Sequence, residues 1–131
     1  MEYEKLVKTL NNMEREYFNL DLDGYNKKYV MQVSRTLKKL PYVEDVRIYR
    51  NKNRYKHYHI SVKLREPQKL ILLFILRIIL GDHLERVRID LIRLLNGIMD
   101  HTVDFIADKK YEVDINNKQI TKVLANYERI K

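Results

Sequence analysis

Apolar and polar residues alternate along three segments of this chain, which is the pattern of a β-strand with one buried face. The three segments are residues 17–23, 43–49 and 57–64. In the first segment, large apolar residues alternate with Asn19, Asp21 and Asp23, and the turn-forming pair Asp23-Gly24 closes it. A shorter apolar segment, residues 102–106, predicts a fourth strand.

Between and around these strands, apolar residues recur every three or four positions, which predicts helices. The predicted helices are residues 2–16, 26–40, 67–80 and 82–95, and a last helix that begins at Asn116 or Asn117 and carries Ile120, Val123, Leu124 and Tyr127. The middle elements are β-α-β-β-α-β in order, so we predict an α+β fold: a ferredoxin-like, RRM-like sheet with extra N- and C-terminal helices. Its first and third strands should be central, adjacent and antiparallel. One sheet face should lie under the helices and the other should be open to a ligand.

The length of 131 residues predicts one domain, residues 1–131, with a core at about residues 17–110. Apolar residues make up 45% and charged residues 34% of the chain, which is typical of an ordered globular protein. The chain has no cysteine, and its charged, amphipathic beginning does not resemble a signal peptide. We therefore expect a cytoplasmic, intracellular protein.

The most apolar run, residues 70–80, contains Arg77 and is much shorter than the roughly 20 residues that a bilayer crossing needs. We expect no membrane association and a buried core helix here. The alternative is a homodimer face, because a helix that is apolar all round must be covered on every side.

The whole chain has a formal net charge of +8, and its positive charge is concentrated in one third of its length. Residues 25–69 hold 13 basic and 3 acidic residues, and within them residues 47–65 contain seven Lys or Arg, no acid, and interleaved Tyr and His. Cations bind phosphates and aromatic rings stack on bases, so this segment predicts DNA, RNA or a nucleotide as partner. The competing interpretation is a hairpin whose charges serve only solubility. The predicted nucleic-acid-binding residues are Tyr49, Arg50, Lys52, Arg54, Tyr55 and Lys56.

Candidate chemistry follows from the alternation, because residues two apart on a strand share a face. Asp21 and Asp23 share the polar face of the first strand, and His57 and His59 share that of the third. Paired carboxylates suit Mg²⁺ or Mn²⁺, and imidazoles and cations can hold phosphate. The predicted phosphate-binding residues are His57, His59, Arg47 and Lys63. Each motif alone also fits an ordinary turn or a solvent-facing strand, so the hypothesis depends on a shared face.

A second polar cluster lies on the helix predicted at residues 82–95. Asp82, Arg86, Asp90 and Arg93 recur every three or four residues and predict a ladder of ion pairs within the helix, with Asp82 as its cap. Asp90 also flanks an apolar stripe, so we expect it to be partly buried.

The order of these motifs resembles the archaeo-eukaryotic primase superfamily, or primase-polymerases, over about residues 17–110. The matching motifs are Asp21-Leu22-Asp23, His59 on a later strand, and Ile89-Asp90. The resemblance implies a replication-associated, minimal primase or nucleotidyltransferase domain, active or degenerate. Its catalytic residues would be Asp21, Asp23 and Asp90, with Mg²⁺ or Mn²⁺ on Asp21 and Asp23 and the triphosphate on His59. Residues 57–67 and 81–97 are also similar to short proteins of archaea and of their viruses or plasmids, which implies a virus-infected or plasmid-bearing host.

The triplet His57-Tyr58-His59 is also similar to the metal-binding pair of HUH endonucleases, which nick DNA to start rolling-circle replication. Their nucleophile is a Tyr in a helix, often followed four residues later by Lys, and Tyr127 and Lys131 have that spacing. This resemblance implies a metal that polarises the phosphodiester and an attack by Tyr127. The alternative of a core role follows from the apolar stripe in which Tyr127 lies.

Two non-catalytic hypotheses stay open beside these enzymes. The first is an RRM-like module that binds single strands through Tyr49, Arg47 and Lys63. The second is a structural protein that dimerises through residues 70–80.

Overall fold

The computed structural model describes residues 2–96, 109–114 and 119–131, and the protein has an α+β fold. The described helices are α1 (Glu2–Asn12), α2 (Lys27–Lys38), α3 (Leu70–Ile79) and α4 (Leu84–Leu95). The described strands are β1 (Glu14–Asp23), β2 (Val43–Asn51), β3 (His57–Lys69), β4 (Lys109–Asp114) and β5 (Gln119–Arg129). The strand predicted at residues 102–106 lies outside the described residues.

The described strands form one sheet in the order β1-β3-β2-β5-β4, and every neighbouring pair is antiparallel. The predicted adjacency of the first and third strands is confirmed. Among the described strands, however, β1 has β3 as its single neighbour, so the described part of the chain does not confirm that β1 is central. The strand that extends the sheet beyond β2 is β5, which is not part of the predicted order.

The predicted C-terminal helix is wrong, because its residues form strand β5. The register between β4 and β5 shifts twice, so that Thr121 and Leu124 have no partner in it. Each shift adds one residue to the repeat of two that a regular strand would show. Ile120 and Val123, which are three residues apart as in a helix, are therefore opposite Val113 and Tyr111, which are two residues apart on β4.

The hydrophobic core lies between one face of the sheet and the helices. The predicted alternation is confirmed, since Phe18, Leu20 and Leu22 of β1 are fully buried and Ile48 and Ile60 lie in the same cluster. Helix α2 begins after Asn26, whose side chain accepts a hydrogen bond of 2.9 Å from the amide of Tyr29, as expected of an N-cap. It contributes Val30, Val33 and Leu37 to the core.

Helix α3 is buried along one side and exposed along the other. Leu70, Leu73 and Phe74 belong to the core, whereas Ile78 and Ile79 are 50% and 70% exposed. The helix begins at Leu70, three residues later than predicted, because β3 continues through Lys69. The predicted core role of residues 70–80 is confirmed for the buried side of the helix. Homodimer formation through these residues stays a prediction. None of the helices in the described part of the chain has the length and apolar character needed to cross a membrane.

Candidate nucleic-acid interface

Four of the predicted site residues lie next to one another on the polar face of the sheet, which is the face opposite the core. The antiparallel register places Asp21 opposite His59 and Asp23 opposite His57. His57 Nδ1 is 2.8 Å from Asp23 Oδ1, and His59 Nε2 is 3.6 Å from Asp21 Oδ1. The structure therefore brings together the two acids and the two imidazoles, as the alternation predicted.

The centre of this polar face is not open to solvent, contrary to the prediction. Asp21 and His59 are 7% and 9% exposed. The ring of Tyr127 stacks on the imidazole of His59, with ring centres 3.8 Å apart and planes inclined by 13°. The sequence predicted a helix for Tyr127, so it did not predict the pairing of β5 with β2 that brings this ring to the polar face.

Asp21 is the most perturbed acid of the site. The pKa of Asp21 is raised to about 8, mainly by burial. The charge of Asp23, a hydrogen bond with Asp23 and the charge of Asp82 raise the pKa further, and the charge of Arg86 lowers it by a smaller amount. Its Oδ1 atom is buried and accepts no hydrogen bond from the described residues. A carboxyl group in this environment holds its proton at neutral pH unless a cation replaces it.

The other predicted catalytic acid, Asp90, is engaged elsewhere. Its carboxylate accepts a hydrogen bond of 2.7 Å from Arg77 and lies 3.4 Å from the guanidinium of Arg93. Asp90 is 3% exposed, so the prediction that it is buried is confirmed. The structure does not bring it to Asp21 and Asp23. Within the described residues, no three carboxylate or imidazole side chains are grouped so that they could hold a metal ion.

Asp82 does not cap α4, because the N-cap of that helix is His83. Its Oδ2 atom is 2.5 Å from Arg77 Nε, and its Oδ1 accepts a hydrogen bond of 3.0 Å from the amide of Asp21. The predicted ladder within the helix is therefore wrong except for the contact between Asp90 and Arg93. Arg77 joins Asp82 to Asp90. The sequence feature that could have identified Arg77 is its position as a lone cation inside the most apolar run.

Three of the predicted cations are neutralised by nearby acids. Arg47 pairs with Asp45 at 3.0 Å, Lys63 with Glu44 at 3.0 Å, and Arg50 with Glu128 at 2.5 Å. The hydrogen bond from Arg50 is the main reason why the pKa of Glu128 is lowered. These pairs remove part of the positive charge that the sequence assigns to residues 47–65.

Of the other four cations in residues 47–65, Arg65 on β3 donates a hydrogen bond of 3.3 Å to the carbonyl of Val43, and three lie at the hairpin tip, residues 52–56, between β2 and β3. Lys52, Arg54 and Lys56 are exposed, and within the described part of the chain no acidic side chain lies within ion-pair distance of them. The charge of Lys52 makes a smaller contribution than Arg50 to the lowered pKa of Glu128. Tyr55 lies between two of them and is 82% exposed. The ammonium of Lys56 is 5.5 Å from the centre of the Tyr55 ring. Tyr49, the other predicted aromatic, is half-buried on the polar face of the sheet.

The hairpin tip is held by Asn51, which lies in the turn that the sequence predicts at residues 51–53 but was not among the predicted site residues. Asn51 is 5% exposed, and its Oδ1 atom accepts hydrogen bonds from the amides of Asn53 and Arg54 at 2.8 and 3.0 Å. Its side chain also bonds the hydroxyl of Tyr127, whose pKa is raised to about 12, mainly by burial. An Asn placed before a polar turn is the signal that could have identified this residue.

No protein-family model, curated protein or solved structure matches this chain.

Proposed function

We propose that this protein binds nucleic acid through the hairpin tip. The observation that carries the proposal is the difference between two groups of cations on the same hairpin: Arg47, Arg50 and Lys63 are paired with acids, whereas Lys52, Arg54 and Lys56 are exposed without such partners in the described residues. Unpaired cations can replace the counterions of a phosphate backbone, which is the main source of affinity for nucleic acid. The resemblance to primases supports a role for this binding in replication.

Removal of the tip charges tests this function. The variant Lys52→Ala/Arg54→Ala/Lys56→Ala should lose at least about tenfold in affinity for a labelled oligonucleotide at low salt. The dependence of log Kd on log salt should become shallower by about two, because three phosphate contacts are lost. Fluorescence anisotropy over a salt series measures both quantities.

A matched variant keeps the same change in net charge but places it on α2. Lys28, Arg35 and Lys38 are exposed there, and their replacement by Ala should leave most of the affinity in place. Equal losses in the two triple variants would contradict a localised interface, and absence of binding by the unchanged protein would contradict the function itself.

A primase-type nucleotidyltransferase is the second candidate, and it is favoured by the buried Oδ1 atom of Asp21 that lies beside Asp23. Mg²⁺ is often held by only one or two carboxylates and completes its shell with water and substrate phosphates, so the two acids fit such an ion. Asp21 and Asp23 would bind Mg²⁺ or Mn²⁺, which supplies charge stabilisation for phosphoryl chemistry. In this candidate function, His59 and His57 would donate hydrogen bonds to phosphate oxygens.

Titration with Mn²⁺ in a calorimeter tests this candidate without any assay of activity. The unchanged protein should bind Mn²⁺, and binding should require a pH at which Asp21 loses its proton. The variant Asp21→Asn should bind at least about tenfold more weakly, because it loses one of two charged ligands. Identical titrations of both proteins would exclude Asp21 as a ligand.

The nicking endonuclease has the least support. Its nucleophile would be Tyr127, which is 4% exposed, lies on a strand, and has a pKa raised to about 12. A buried phenol of raised pKa is a poor nucleophile. We expect no covalent adduct with DNA on a denaturing gel, with or without Mn²⁺.

A further inference from the structure

The hairpin tip has an exposed aromatic ring beside positively charged side chains, whereas a turn that serves only solubility needs no exposed ring. Tyr55 is 82% exposed, which leaves at least one of its faces free of protein contact. The adjacent Lys56 ammonium lies 5.5 Å from the ring centre, and Arg54 precedes the ring in the chain. A planar aromatic surface between two cations is complementary to a base that is flanked by two phosphates.

The backbone of the tip is held in one conformation by several hydrogen bonds. Asn51 binds the amides of Asn53 and Arg54, and the carbonyl of Lys56 accepts a hydrogen bond of 2.7 Å from the amide of Gly24. Lys56 itself has a φ of 58°, a left-handed conformation that is uncommon for a residue other than glycine. Because these hydrogen bonds restrain the turn that presents the ring, they lower the cost of ordering the turn when a ligand binds.

A single strand and a duplex offer different surfaces to such a tip. In a duplex the faces of the bases are stacked on their neighbours, so an exposed ring finds phosphates and groove edges but no free base face. In a single strand the bases can be splayed out and stacked on an aromatic side chain. The tip is a narrow turn with one protruding ring, and it presents no helix to a major groove.

We propose that the hairpin tip selects single-stranded nucleic acid by stacking one base on Tyr55 while Lys52, Arg54 and Lys56 contact the flanking phosphates. The inference rests on the proposed function, since it names the class of nucleic acid that the same interface takes. It also separates two roles within the tip: the cations supply affinity that depends on salt, and the ring supplies the preference for unpaired bases.

The test compares a short labelled oligo-thymidine strand with a duplex of equal length, by fluorescence anisotropy at a fixed low salt concentration. We expect the unchanged protein to prefer the single strand, and Tyr55→Ala to lose about 5- to 150-fold in affinity for it, which is the range of stacking one base. Affinity of Tyr55→Ala for the duplex should change by less than about twofold. The salt dependence should stay the same in this variant, because no charge is removed.

Two further variants serve as controls. One tests whether the aromatic ring is sufficient without its hydroxyl, and the other tests whether the loss of any exposed tyrosine weakens binding. Tyr55→Phe keeps the stacking surface and should bind the single strand within about twofold of the unchanged protein. Tyr3, on α1, is 72% exposed, and Tyr3→Ala should bind normally. Circular dichroism should give the same unfolding temperature for all variants, since both tyrosines lie at the surface.

The outcomes distinguish this inference from the function on which it rests. Equal affinity for strand and duplex, or an unchanged affinity of Tyr55→Ala, overturns single-strand selection and leaves nucleic-acid binding intact. Competition by an acidic peptide as effective as that by the oligonucleotide would show that the tip reads charge alone, which also overturns the inference. Failure of the unchanged protein to bind either nucleic acid would remove both proposals.

Discussion

Asp21 is a side chain whose environment in the sheet overrides its ordinary chemistry. On the sequence it is one of two acids in an alternating strand, and nothing in the pattern indicates that it is more buried than Asp23. In the structure it lies beneath the polar surface beside a second acid and an imidazole. Its pKa is raised to about 8, chiefly because burial penalises the charged form.

The pH dependence of stability follows from this shift. Between its ordinary value of 3.8 and about 8, native Asp21 keeps a proton that the unfolded chain has lost. The native state then binds more protons than the unfolded state, so the free energy of unfolding falls as the pH rises through this window. Asp21→Asn cannot ionise and should be more stable than the unchanged protein at pH 8, by on the order of a few kcal/mol, and about equally stable near pH 4.

Urea denaturation at a series of pH values measures this difference. Glu66 is an exposed acid, and Glu66→Gln should follow the pH profile of the unchanged protein. A profile for Asp21→Asn that runs parallel to that of the unchanged protein would show that Asp21 does not hold its proton in the native state.

At the scale of elements, the two central helices are joined by a buried ion network. Arg77 of α3 binds Asp90 of α4 and Asp82 of the connection between the helices, and the side chains of all three residues are nearly inaccessible. Removal of one member of such a network leaves charges buried without a partner, which costs more than the network contributes as a whole.

Arg77→Met keeps an unbranched apolar stem and removes the guanidinium, leaving Asp82 and Asp90 without their common partner. We expect the free energy of unfolding to fall by about 3–5 kcal/mol, measured by chemical denaturation. The matched change is Arg88→Met on α4, where the pair with Glu85 is exposed and should cost less than about 1 kcal/mol. Equal losses for the two variants would contradict a structural role for the network.

The elements near the N-terminus could be predicted from periodicity because each has one regular face. Strands β1 and β3 keep one register from the pair Tyr17–Lys63 to the pair Asp23–His57, and α2 has an apolar stripe and an Asn cap. The last strand could not be predicted, because Ile120 and Val123 have a helical spacing of three residues, which one of the two register shifts accommodates in the sheet. The error also affected the candidate site, since Tyr127 reaches His59 only through strand pairing with β2.

The ion network around Arg77 and the ion pairs of the hairpin cations could not be predicted from the sequence, for a different reason. Asp82 and Asp90 were identified as charged residues of one helix, but their partner Arg77 comes from another element. Likewise Glu128 neutralises Arg50 from a distance of 78 residues along the chain. Such pairs depend on tertiary packing, so a count of charges in one segment overestimates the field that the segment produces.

At the scale of the whole molecule, the positive field is a balance between the hairpin and the strands beside it. Glu128→Gln should release Arg50 next to the hairpin tip and so strengthen binding to a single strand by a few-fold. The salt dependence should steepen by about 0.7 in log–log slope, the value of one additional phosphate contact. Anisotropy over a salt series measures both effects.

The corresponding control is Glu44→Gln, which releases Lys63 on β3, away from the tip. We expect a smaller gain in affinity from this change. A larger effect from Glu44 than from Glu128 would place the ligand along the sheet and not at the tip.

The amide of Asp21 has an unusual acceptor for a strand residue, because its hydrogen bond goes to the carboxylate of Asp82, 61 residues further along the chain. The solvent protection of this one N–H therefore depends on whether α3 and α4 are correctly docked. Deuterium uptake at Asp21 should thus report on the integrity of the helix pair, while amides of β1 that bind β3 directly keep their slow exchange. The exchange of a single backbone proton in the sheet can thus report on the packing of the two helices beside it.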